Sequence, residues 1–180
     1  MRQQDPILKE NSITRYEFDH LFNILMTRDW LVDGKYYNLY ALGWRHDYNE
    51  HKTNLGLCSP RQKMIFISDV LVELNKWDNA QKFEDTIRHE IAHAIDFEQR
   101  GTSDHSNKWK RVCVQVGADP TRLADGIQSA KGKYTIRCKS CGHESQAHRK
   151  RKRAVACSKC CDAYANGRFD PKYILEFIEN

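Results

Sequence analysis

"HEIAHAIDFEQRGTSDHSNKW", His89 to Trp109, carries two histidines one helical turn apart, with a glutamate directly after the first. On a helix, residues i and i+4 leave the same face, so two ring nitrogens can reach one zinc ion at about 2.0–2.1 Å. Glu90 stands one residue beyond His89, so its carboxylate flanks such an ion without ligating it. There it can take a proton from bound water, whose pKa zinc lowers to about 7. Phe83, Ile87, Ile91, Ala94 and Ile95 give the helix a core side, which leaves the two histidines facing a cleft. Asp96, three residues after His93, falls on the metal-facing side and is placed to orient a ligand imidazole.

A catalytic zinc usually takes three protein ligands and keeps a fourth position for water. Gly101 ends the helix and permits a reversal, after which His105 is positioned to point back at the pair. Asp104 and Glu98 are rival third ligands, because carboxylates also bind zinc. The plain alternative is a solvated helix face with incidental histidines, since H-E-x-x-H is a short pattern.

Working outward, "TRYEFDHLFNILMTRDW" reads as a first helix. Thr14 and Glu17 form a capping box, and Phe18, Leu21, Phe22 and Leu25 make an apolar stripe. "YYNLYALGWRHDY", "LGLCS" and "MIFIS" read as strands, the last two joined by a turn at "PRQK". Ser68 or Asp69 caps a short helix, "VLVELNKW", and the His-bearing helix runs from about Asp78 or Asn79 to Arg100. "SNKWKRVCVQVG" is one more helix, ended by Gly117. Helices around a small sheet make an α+β class. A stretch rich in Pro and Gly near 118–133 reads as a linker, which divides the chain into domains 1–125 and 126–180. "DPKYILEFIEN" reads as a closing helix with Pro171 at its first position.

The second domain holds C-x2-C, fifteen residues, then C-x2-C: Cys138, Cys141, Cys157 and Cys160. Four thiolates close a tetrahedral structural zinc site, so the sequence predicts two Zn2+ ions, one catalytic and one structural. A redox pair is the competing reading, and Cys161 is an alternative ligand in a shifted register. Cys58 and Cys113 sit among apolar residues and read as core. Residues 1–130 carry 17 Lys/Arg against 19 Asp/Glu, a net of −2, while residues 131–180 carry 12 against 5, a net of +7. The excess centres on Arg149, Lys150, Arg151, Lys152 and Arg153, read as a basic hairpin that contacts phosphates regardless of sequence. A solubilising loop is the bland alternative. The aromatic residues from Trp30 to Tyr48 read as core before base-stacking platforms.

"HEIAHAIDFEQRGTSDHSNKWK" resembles the SprT-like zinc metallopeptidases, the group that includes Spartan. There H-E-x-x-H is followed by a reversal, a histidine, and then an aromatic and a basic residue. "GLCSPRQKMIFIS" is similar to the family's strand pair, and the likeness covers roughly residues 15–160. Ser106 stands where the family usually has Gly. The resemblance implies a zincin-like metallopeptidase domain with a following zinc ribbon. It implies His89, His93 and His105 as ligands, with Glu90 as general base. The implied activity is cleavage of proteins bound or crosslinked to DNA, the partners being protein substrates and DNA. The runner-up is a non-enzymatic, nucleic-acid-binding zinc-ribbon protein. No run approaches the ~18 apolar residues of a membrane span. The expectation is a cytoplasmic monomer, nucleoid-associated or, in a eukaryote, nuclear.

Overall fold

The computed structural model describes residues 13–75, 80–121 and 127–180. It divides into two compact units, Met1–Ser129 and Ala130–Asn180, so the division falls at 129/130 where the sequence placed it at 125/126.

The first unit opens with α1 (Arg15–Thr27). Thr14 accepts from the Glu17 amide, and the Glu17 side chain takes the Thr14 amide in return, satisfying donors that a helix start leaves unpaired. The stripe Phe18, Leu21, Phe22 and Leu25 is buried together with Met26. Strands β1 (Asp29–Val32) and β2 (Lys35–Asn38) form a hairpin turned by Asp33 (φ 51°) and Gly34 (φ 78°). Positive φ at both central residues matches the right-handed twist of the strands. A separate sheet has the order β3-β5-β4, from β3 (Arg45–Asn49), β4 (Gly56–Ser59) and β5 (Met64–Ser68). β3 runs parallel to β5 and β4 antiparallel, joined by a single helical turn at Pro60–Gln62. The 36–48 stretch therefore holds two strands, separated by a turn in which Trp44 is buried. Trp30 and Tyr37 are buried as well, whereas Tyr36 is exposed.

Ser68 caps α2 (Asp69–Asn75) by accepting from the Leu71 amide at 3.1 Å. The start of the next helix, placed by sequence at Asp78 or Asn79, lies outside the described residues; α3 runs from Ala80 to Arg100. Phe83, Ile87, Ile91 and Ile95 are at most 1% exposed. At roughly 1.5–3 kcal/mol for each large apolar side chain, this face fixes α3 against α1 and the sheet. Gly101 (φ 69°) gives its amide to Phe97 O at 2.7 Å and reverses the chain into α4 (Asn107–Gln115).

The second unit is a three-stranded sheet of order β7-β6-β8, from β6 (Tyr134–Cys138), β7 (Glu144–Ala147) and β8 (Leu175–Glu179), with α5 (Ser158–Tyr164). The end of the chain is thus a strand where a helix was predicted. Pro171 does open a helical turn, capped by Asp170, but it stops at Tyr173. The remainder pairs with β6, whose second edge would otherwise lack hydrogen-bond partners. The buried cluster of this unit consists of Cys138, Cys157, Cys160, Cys161 and Tyr173. Among the described residues, no helix is long and apolar enough to cross a membrane.

Candidate metal centres

One turn of α3 presents His89 and His93, and the reversal after Gly101 brings His105 to them. One ring nitrogen from each of the three lies within 4.8 Å of the others. His89 Nε2 and His105 Nε2 are 3.4 Å apart. Ligands at about 2.0–2.1 Å in a tetrahedron are separated by about 3.3–3.4 Å, so the spacing fits zinc. Burial pushes His89 down to about 4 and His93 to about 3. Both rings are therefore neutral near pH 7, the state that offers a lone pair.

The second nitrogen of His93 is held from behind. His93 Nδ1 lies 2.8 Å from Ser103 Oγ, and an Nδ1–H donated to that hydroxyl leaves Nε2 for a metal. Sequence gave this orienting task to Asp96. The structure instead buries Asp96 completely and pairs both its oxygens with Arg100, at 2.7 Å to Nε and 2.5 Å to Nη2. An arginine at i+4 offers a two-pronged donor that a single imidazole N–H does not match. Nor do the rival carboxylates reach the triad. Asp104 accepts from the Ser106 amide at 2.9 Å and from Arg100 at 3.2 Å. Glu98 accepts from Trp44 Nε1 at 2.9 Å and pairs with Lys63 at 3.0 Å.

Trp109 backs the triad. Its ring centroid lies 4.7 Å from His89, 4.8 Å from His93 and 4.6 Å from His105, nearly parallel to His93 at 21°. Sequence marked Trp109 only as an aromatic four residues past the third histidine; no spacing rule pointed to a wall common to all three rings.

Glu90 is 7% exposed, and burial pushes its carboxyl up to about 8, partly offset by the nearby Cys58 backbone amide. A cavity of about 660 Å³ opens here, lined among others by Gly56, Cys58, His89, Glu90, His93 and His105. Cys58 is therefore a half-buried wall of the cavity and not core, because β4 turns its pleat toward α3; Cys113 is core, as expected.

In the second unit, Cys138, Cys141, Cys157 and Cys160 bring their sulfurs within 4.8 Å of one another. Cys138 Sγ to Cys160 Sγ is 3.8 Å, and Cys141 Sγ to Cys157 Sγ is 3.7 Å. A tetrahedron with bonds of ~2.3 Å has edges of about 3.8 Å, so this group too can bind zinc. Backbone amides of Cys141 and Ser140 point at the Cys138 sulfur and draw it down to about 7, toward the thiolate that ligates. Cys161 is buried beside the group but not part of it; its amide bonds to Cys157 O at 2.9 Å.

The five cations Arg149 to Arg153 do not lie on the hairpin. They follow β7 in an exposed loop without strand pairing. Five adjacent charges offer no apolar alternate to bury, so the run has no pleat to join. Among the described residues, Lys133, Arg137 and Lys139 pair with Glu179, Glu144 and Glu176, whereas no ion pair involves the five.

Comparisons with curated proteins and with solved structures returned no match. The family model described as the SprT-like family matches residues 25–129. That span runs from the end of α1 through α3 and α4 and takes in all three histidines, Glu90, Ser103 and Trp109; the chain belongs to the SprT-like family.

Proposed function

We propose that the chain is a zinc endopeptidase, zincin-like in its first unit, that cleaves proteins bound or crosslinked to DNA. The observation that carries this reading is the meeting of three imidazoles and a buried carboxyl on one open cavity. Membership of the SprT-like family supports a metallopeptidase. His89, His93 and His105 would hold the ion, with Ser103 fixing the ring of His93 and Trp109 closing the rear of all three. Bound there, Zn2+ would polarise the scissile carbonyl and acidify water. The charge of that ion would draw the Glu90 carboxyl back down from its raised value, and the ionised group would accept the proton of the attacking water and pass it to the leaving amine nitrogen. The nearby Cys58 backbone amide, on the wall of the same cavity, favours the ionised form of that carboxyl.

The second unit would be a structural zinc ribbon. Four thiolates and one Zn2+ leave about −2 on the site, so the positive field of this unit comes from the loop at Arg149–Arg153. Such a loop suits sequence-independent contact with a DNA backbone, which would put the enzyme in the cytoplasm on the nucleoid, or in a nucleus.

The test uses the zinc-loaded full chain with two substrates, a DNA-bound protein and a small free peptide. Cleavage of both is expected, and Glu90→Gln should remove it while leaving zinc in place. Metal-replete chain that binds DNA but cuts neither substrate would favour a non-enzymatic binding protein.

A further inference from the structure

The strand beside Glu90 contains a glycine whose reason is space and not backbone geometry. Gly43, Gly101 and Gly117 all have positive φ and nothing closer than 3.6 Å to an added Cβ. Gly56 has an ordinary strand backbone, paired opposite Ile67. Any residue can adopt that conformation, and a glycine there weakens the strand. Yet a Cβ at position 56 would lie 2.5 Å from Glu90 Oε1, 2.8 Å from Glu90 Cγ and 2.9 Å from Thr86 Cγ2. Contacts under 3.0 Å are ones that real Cβ atoms essentially never make.

We propose that Gly56 is a positioning residue for Glu90. Its missing side chain leaves the space in which the Glu90 side chain lies against β4, at the cavity wall it shares with Cys58. This rests on the reading of Glu90 as the proton acceptor. The alternatives open to a methyl group at 56 are few. Helix α3 cannot retreat as a body, because its far face is packed through Phe83, Ile87 and Ile91 and its near face carries His89 and His93. Either the carboxylate swings away from Cys58, or β4 lifts and carries the Cys58 amide with it. In both cases Glu90 loses its place against β4, while the three histidines, held by α3, Ser103 and Trp109, keep theirs. The geometry thus separates two properties of one cavity. Metal binding depends on α3 and the segment after Gly101; placement of the proton acceptor depends on β4.

The experiment compares Gly56→Ala with the native full-length chain, both zinc-loaded. Zinc at the histidine site is expected to stay, KM for a small peptide to hold, and kcat to fall roughly 10²-fold, the scale of a ~1 Å misplacement. The Cys58 amide resonance, recorded by nitrogen–proton correlation, should move to the position it takes in Glu90→Ala. A stability cycle supplies a readout that needs no peptidase activity. Gly56→Ala should lower Tm in the native background and less in Glu90→Ala, where two of the three clashing atoms are gone and only Thr86 Cγ2 remains. An unchanged kcat, or an equal Tm loss in both backgrounds, overturns the proposal. If Gly56→Ala does not fold, it is made again with Thr86→Ser, which removes Cγ2, in both backgrounds: folding with Glu90→Ala but not with Glu90 supports a clash with Glu90, and failure in both refutes it. A native chain without peptidase activity would sink the proposed function alone, since the amide shift and the cycle still report on Gly56.

Discussion

In the first unit three imidazoles meet at the wall of a cavity of about 660 Å³, and the buried apolar core is built from other residues. In the second, four sulfurs close on one another, and the buried cluster is those cysteines with Cys161 and Tyr173. The difference is one of what holds what. Phe18, Phe22, Trp44, Phe83 and Ile91 fold the first unit and thereby present its histidines. The second unit buries almost nothing besides its ligands, so a metal there would supply folding free energy outright. An open site with three protein ligands and a closed one with four should also differ in how fast a chelator empties them.

The largest effect that would sharpen this contrast is on chemistry. Glu90→Gln should reduce peptide cleavage by at least the ~10²–10⁴-fold typical of a lost general base, with zinc content and Tm unchanged. Metal loss in that variant would mean Glu90 is a ligand. Next, Cys138→Ser should cost one zinc and unfold residues 130–180, seen as collapse of their amide dispersion, while the first unit keeps its own. If both units unfold together, the contrast fails. His105→Ala should remove zinc from the histidine site without unfolding anything, and Asp104→Ala should leave it there. The reverse pattern, measured as zinc per chain, would reassign the third ligand. Ser103→Ala should weaken zinc at that site by roughly 10–100-fold, as loss of a group orienting a ligand histidine does. Undiminished affinity would make the Ser103 contact incidental.

The smallest expected effect concerns the loop. Replacing three of Arg149, Lys150, Arg151, Lys152 and Arg153 with Gln should flatten the slope of log K for DNA against log salt by roughly 2–3 units. Peptide cleavage should not change. An unaltered slope would reduce the loop to a solubilising segment.

What was legible in the sequence was whatever is periodic or locally capped. The stripe of α1, the capping box at Thr14 and Glu17, the His89–His93 spacing and the paired cysteines each repeat at an interval set by one element. What was not legible depends on a neighbour distant in sequence. "YILEFIE" has apolar residues at 174, 175, 177 and 178, a pattern that suits a helix turn or a strand; the unpaired edge of β6 decides for the strand. Asp96 carries the right spacing to face the metal, but Arg100 offers it a better partner than His93 does. Gly56 gave no signal at all, since a glycine in a strand reads the same whether or not a carboxylate lies against it.

The indole of Trp109 has one more consequence, an optical one. It is fully buried, its N–H has no hydrogen-bond partner among the described residues, and it touches all three histidines. An indole so shielded emits at the blue end of the tryptophan range, and its quantum yield responds to what its neighbours bind. Titration with Co2+, whose unfilled d shell quenches nearby emission, should darken this fluorophore in step with occupancy of the histidine site. None of the four tryptophans lies in residues 130–180, so the thiolate unit has no tryptophan of its own to darken. The protein thus carries a built-in meter for metal at the histidine site, readable without a label and removed by Trp109→Phe.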